Sequence, residues 1–203
     1  MEWFKKEIWP EIEAMMHHDA YFRIWLKAME CAEAPHGPIA QTIINGYVTY
    51  QLAAIRRICD RRRQDDVISL PKLLQMIGNE KPQAKARADS LILRLGRDCD
   101  ELYQIATQYV AHNGDPRKPN WPAWAVTSDK ITLAQKAICE VAIQIERDLL
   151  AIAHRVAIVP VPQFDNLAEV KAVVPAGRLN ELRDFWYAYN TRINEWTQVP
   201  TLT

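Results

Sequence analysis

"ITLAQKAICEVAIQIERDLLAIAH", residues 131–154, carries apolar side chains at Ala134, Ile138, Val141, Ile145, Leu149 and Ile152. Steps of three and four residues are the period of an α-helix, not the alternation of a strand. No glycine or proline interrupts the stretch, and Ala, Gln, Glu, Arg and Leu favour helix. Thr132 followed by Gln135 has the spacing of a capping box, which predicts a helix start there. A near-heptad stripe of this length needs other helices to cover it, so the stretch predicts a helical bundle.

The same period recurs on both sides. Phe4, Ile8, Ile12, Met15, Phe22, Leu26 and Met29 form one stripe, with Pro10 in its first turns and "APHGP", residues 34–38, at its end. A second helix is predicted over about 39–63, with Ile44, Tyr47, Leu52, Ile55 and Ile58 inward and "RRICDRRR" at its C-terminal end, where cations suit the helix dipole. "VISLPKLLQMIGNEKP" reads as a short helix capped by Ser69, with Leu70, Leu73, Leu74 and Ile77 on its apolar face and Gly78 as its stop. A longer helix over about 83–112 carries Leu91, Leu95, Cys99, Leu102, Ile105 and Tyr109. Beyond His154, "VAIVPVPQF" and "AVVPAG" are broken by proline and read as extended segments, and a last helix near 178–196 carries Leu179, Leu182, Phe185, Tyr189, Ile193 and Trp196. The expected architecture is all-α: a bundle of five or six helices over residues 1–155, with a C-terminal appendage over 156–203 that packs on it.

Composition narrows the function. The 203 residues hold 25 Lys plus Arg and 25 Asp plus Glu, so no whole-protein field gathers nucleic acid or an acidic membrane, and such a partner needs a local patch. The charged start (Glu2, Lys5, Lys6, Glu7) and the lack of a long apolar run predict neither signal peptide nor membrane span, hence a cytoplasmic protein with no membrane partner. Cys31, Cys59, Cys99 and Cys139 stand apart, without the paired spacing of a zinc site, and read as small buried hydrophobes.

Phosphate-binding glycine loops, the G-x-S-x-G elbow and the H-E-x-x-H motif are absent, and no cofactor or metal is expected. His17 and His18, with Glu13 one turn earlier, lack a third ligand at suitable spacing. Trp25, Trp186 and Trp196 lie on apolar stripes, where core packing is the ordinary reading. Two stretches remain. Arg56, Arg57, Arg61, Arg62 and Arg63 are dense enough to contact phosphates, or else form a solvated helix end balanced by Asp65 and Asp66. "QYVAHNGDPRKPN", residues 108–120, places His112 in phase with Leu102, Ile105 and Tyr109, the setting of a packed core histidine, but then breaks the helix at Asn113, Gly114 and Pro116, where side chains can also reach a groove or a second subunit.

These elements in this order resemble the HEPN superfamily, in particular its abortive-infection, AbiU-type branch. The resemblance rests on "YVAHN" late in a long helix, preceded by "IRRICD" and "VISLPKLLQMI" and followed by a Thr-capped long helix, and it spans residues 10–155. It implies an all-α bundle that forms a homodimer, with motif helices of two subunits facing one another. In many members it implies a metal-independent ribonuclease, here in a defence or toxin-antitoxin-like setting with an antitoxin-like partner. Cleaving RNA through its own 2′-hydroxyl needs a base, an acid and a cation at the crowded phosphate. His112 from two subunits would supply the first two. The positions of the family's motif arginine hold Ile105, Ala106 and Thr107, so the cation falls to Arg117 or Lys118, with Asn113 assisting and Gln108 orienting a phosphate. A catalytically silent module that binds a protein partner or small ligand is the alternative.

Overall fold

In the computed structural model the described residues are 4–34, 37–61, 68–111, 126–150 and 163–197. They form α1 (Trp9–Cys31), α2 (Pro38–Ile58), α3 (Leu70–Glu80), α4 (Lys85–Ile105), α5 (Ser128–Gln144), α6 (Ala168–Ala172) and α7 (Leu179–Thr197). Three wider π-helical turns adjoin them: Phe4–Ile8 before α1, Ala106–Ala111 after α4 and Ile145–Leu149 after α5. No strand occurs among the described residues, and the fold is an all-α bundle.

Local chemistry sets the helix ends. Pro38 stands in the first turn of α2, where a missing N–H costs nothing, and Pro10 falls where the π-helical turns Phe4–Ile8 run into α1. Ser69 caps α3, accepting from the Lys72 amide at 3.4 Å while its hydroxyl donates to the Asp60 carbonyl at 2.6 Å. Helix α1 closes before "APHGP": the Ala34 amide returns to the Met29 carbonyl and the Glu33 amide to Glu30, both at 3.0 Å. Glu33 takes φ 52°, the left-handed position that such a closure usually gives to glycine.

The amphipathic faces meet in one core. Leu70, Leu73, Leu74 and Ile77 of α3 are at most 2% exposed, each contributing about 1.5–3 kcal/mol by burial. Helix α3 lies on α4, α4 on α5, and α1 on both α2 and α7. Trp186 of α7 is fully buried, so this C-terminal helix belongs to the common core.

The structure departs from the sequence expectations at several places; α2 ends at Ile58, not near 63, and the α-helical period of α5 gives way to π-helical turns at Ile145. Helix α5 begins a turn earlier, capped by Thr127, which accepts from the Lys130 amide at 3.3 Å. Thr132 is then inside the helix and Gln135 is turned into the core, because both have longer-range partners. Gly78 does not stop α3, which runs on to Glu80; a Cβ there would meet the Lys85 backbone at 3.5 Å, an ordinary van der Waals contact. The second proline-broken segment, residues 172–177, is preceded by α6 and contains the start of a 3₁₀ turn (Ala176–Arg178), elements too short to show a period. Finally, the α-helical period that the sequence extends to His112 ends at Ile105, where π-helical turns begin.

Trp186→Ala is expected to lower stability by about 3–5 kcal/mol in urea unfolding, as a fully buried aromatic truncation does. Glu33→Gly is expected to raise it by about 1 kcal/mol, relieving the left-handed backbone.

Candidate functional site

His112, Asn113, Arg117, Lys118, Arg62 and Arg63 lie outside the described residues. Arg56 and Arg57 occupy the last turn of α2, Arg61 follows it, and half-buried Gln108 sits in the π-helical turns that pack against α2. The arginines diverge. Arg57 donates to Glu11 of α1 at 2.8 and 3.2 Å, whereas Arg61 pairs with Asp100 of α4 at 3.2 Å and stacks over Tyr103. Arg56 Nε is buried without an acceptor among the described residues. Both ion pairs are open to water, with Arg57 and Glu11 about half exposed, so each is worth at most ~1 kcal/mol and yields easily to a phosphate.

Among the described residues no group of three or more His, Cys, Asp or Glu is placed to hold an ion. His18 instead stacks on Tyr50, centroids 3.7 Å apart, and His17 tilts against Tyr21. All four cysteines are buried and free. No helix among the described residues is long and apolar enough to cross a membrane.

The densest chemistry lies where α1, α2, α5 and α7 meet. Asp19 is 1% exposed and receives three donors: the Tyr47 hydroxyl in a short hydrogen bond, the Tyr189 hydroxyl at 2.9 Å and Arg23 Nε at 2.8 Å. Arg23 also donates to the Thr132 hydroxyl at 2.7 Å, which carries the chain of bonds into α5. A second chain runs beside it: Gln135 of α5 donates to Gln51 of α2 at 3.0 Å, and Gln51 donates to the Met15 carbonyl of α1 at 3.0 Å. Burial opposes the Arg23 charge, but Asp19 outweighs it, and the guanidinium is held more firmly protonated than usual.

Above this seam, α1 and α2 leave an open cleft of about 460 Å³ lined by His18, Tyr21, Phe22, Trp25, Ile43, Gly46, Tyr47 and Tyr50. Tyr47 joins the two features. Its hydroxyl is bound to Asp19, and its ring stacks on Phe22 with centroids 3.8 Å apart and planes 5° from parallel. Trp25, expected in the core, is only partly buried and walls the cleft, whereas Trp186 and Trp196 are core residues. Aromatic walls with few polar groups in a space of this size suit an apolar side chain or a flat uncharged molecule.

Asp19 is not among the residues singled out from the sequence above, although a signal was present. It stands in the phase of Met15, four residues earlier, and Phe22, three later, an acid within an apolar stripe with Arg23 one turn on. Gln51 and Gln135 are likewise polar residues in apolar phase. Comparison with family models, curated proteins and solved structures returns no match for this chain.

Burial pushes the Tyr47 and Tyr189 hydroxyls well above the ordinary tyrosine value of 10, and the adjacent Asp19 carboxylate adds to the shift. The folded protein therefore keeps two protons that the unfolded chain releases above that pH. Their stabilisation is complete below about pH 10 and falls as pH rises beyond it, by ~1.4 kcal/mol per pH unit per tyrosine. Tyr189→Phe is expected to cost about 1–3 kcal/mol at neutral pH, through the loss of a buried donor. In urea unfolding between pH 10 and 11 it should also shallow the alkaline decline by the share of one tyrosine.

Proposed function

We propose that this protein acts on RNA as an HEPN-like protein of a defence or toxin-antitoxin-like system, with His112 at the centre of its chemistry. The observation that supports the reading is the setting of the segment leading to His112. The π-helical turns Ala106–Ala111, ending one residue before it, pack against α2, the helix that carries Arg56 and Arg57 in its last turn. Such turns are rare and are frequently found at functional sites. His112 from each of two copies serves as base and acid for the 2′-hydroxyl and leaving oxygen, and no metal enters the reaction. Asn113, Arg117 and Lys118 assist at the phosphate, Gln108 orients it, and the arginines at and beyond the end of α2, Arg56, Arg57, Arg61, Arg62 and Arg63, hold the strand. An antitoxin-like protein is the expected counterpart.

A second reading is favoured by a different observation. The open aromatic cleft carries no Lys or Arg in its lining, and none of Ile105, Ala106 and Thr107 is cationic. On that reading the chain is a catalytically silent module that binds a protein or a small apolar ligand.

Incubation with total RNA in EDTA separates the two. Cleavage by the wild type that disappears in His112→Ala supports the nuclease, and intact RNA with both proteins removes it. Binding without cleavage is read from salt dependence: Arg57→Gln and Arg61→Gln should each reduce the slope of log affinity against log salt by about 0.7 for single strands. RNA affinity that ignores salt and these substitutions contradicts the phosphate role.

A further inference from the structure

The cleft between α1 and α2 is walled by rings. Six of its eight lining residues are aromatic, and Ile43 is the one aliphatic side chain among them. Two parallel stacks already stand in it: His18 on Tyr50 with planes 14° apart, and Phe22 on Tyr47 with planes 5° apart. Their centroids lie 3.7 and 3.8 Å from one another, the contact distance of flat rings. Beside them Tyr21 is 50% exposed and Trp25 only partly buried. On the outward stripe of α2, Gly46 stands between Ile43 and Tyr50, and a Cβ built there meets nothing within 4 Å. The backbone at that point is open to close approach by a flat group. The groove continues past the rings. Arg57 follows Tyr50 by seven residues, two turns along the same face or about 10 Å, and its charge and that of its partner Glu11 both reach the Tyr50 hydroxyl.

We propose that this cleft stacks unpaired bases of a single-stranded RNA whose phosphates run along the groove to Arg57. The inference rests on the proposed action on RNA and adds to it a base-holding site made of rings that reading does not use. A flat ring is selected over an aliphatic occupant because it gains stacking from such walls as well as buried area. Stacking accepts any base and needs no charged group in the lining, which holds no Asp, Glu, Lys or Arg. A partner protein's aromatic side chain would stack too, but it carries no anion of its own. A base brings its strand's phosphate to Arg57 at high effective concentration, where the exposed pair with Glu11 is weak enough to open. That tethering offsets the carboxylates Glu7 and Glu11, which stand at the same end. Distance selects a strand over a free nucleotide, because two helical turns exceed the reach of one nucleotide's phosphate from its own base.

The probe is a 2′-O-methylated oligoadenylate, which cannot be cut through a 2′-hydroxyl, with affinity for the full chain read by fluorescence anisotropy. An abasic oligonucleotide with the same number of phosphates is its control, and adenosine monophosphate serves as competitor. The oligoadenylate is expected to bind at least tenfold more tightly than either. Tyr21→Leu and Tyr50→Leu are each expected to weaken it about tenfold and to leave the abasic control unchanged, whereas Tyr50→Phe keeps the wild-type affinity. Gly46→Leu, which fills the cleft from an open position, should erase the difference between the two oligonucleotides and keep the helical circular dichroism. Glu11→Gln, which frees Arg57, should tighten binding about threefold. Equal affinity for the two oligonucleotides overturns the proposal, as does a preference that survives Tyr50→Leu and Gly46→Leu. Competition by adenosine monophosphate as effective as by the oligoadenylate overturns the strand and gives the cleft to free nucleotides. Failure to bind either oligonucleotide also overturns it; cleavage of total RNA that disappears in His112→Ala then leaves the nuclease reading standing without the cleft.

Discussion

A buried carboxylate fixes the arrangement of this bundle. Asp19 stands where a packed apolar residue would be ordinary, and removing a charge from water is tolerable only if donors replace the water. Three do so, from α1, α2 and α7, and Arg23 passes the constraint on to Thr132 of α5. Apolar contacts alone would let helices slide or rotate by small amounts at little cost. Hydrogen bonds to one carboxylate do not, because each has a narrow range of distance and angle. The Gln135–Gln51–Met15 chain repeats the constraint one layer away and ties α5 and α2 to α1 again.

Helix α2 is the element that this clamping ties to the cleft. Its inward stripe is held by Tyr47 and Gln51, which determines where its outward stripe points. The same anchoring sets the width of the cleft, since Tyr47 supplies both the bond to Asp19 and part of the cleft wall. On its other flank α2 supports the π-helical turns before His112, and its last turn carries Arg56 and Arg57. The polar seam, the aromatic cleft and the support of the π-helical turns thus share one rigid helix. Function placed on a rigid element keeps its geometry better than function placed on loops.

The helices were legible in the sequence wherever an apolar period ran for several turns without a breaker, as in the Ala134–Leu149 and Leu91–Ile105 stripes. Ser69 announced α3 because capping is local chemistry. What escaped was non-local. Thr132 and Gln135 matched a capping box, yet partners more than eighty residues away, Arg23 and Gln51, claim both side chains. Helix α6 has only five residues, too few to display a period. The Asp19 seam was written as three polar residues in apolar phase, but which tyrosines would answer them depends on how four helices cross. The cleft was illegible for a similar reason: Trp25 lies on a stripe that sequence alone assigns to a core, and Tyr21 and Ile43 stand on none of the stripes it shows. Of the expected nucleic-acid site, Arg56, Arg57, Arg61 and Gln108 fall within the described residues, and their ion pairs with α1 and α4 could not be read from the arginine run itself.

The most direct test of the clamp is amide hydrogen exchange on Asp19→Asn, a change that keeps the shape of the side chain and removes its charge. The account predicts that protection falls together in the middle of α2, around Tyr47–Ile55, and in α7, around Trp186–Ile193, while α3 and the first half of α4 keep theirs. Protection that is unchanged, or lost only in α1 around residue 19, would contradict the claim that this carboxylate holds the helices in place.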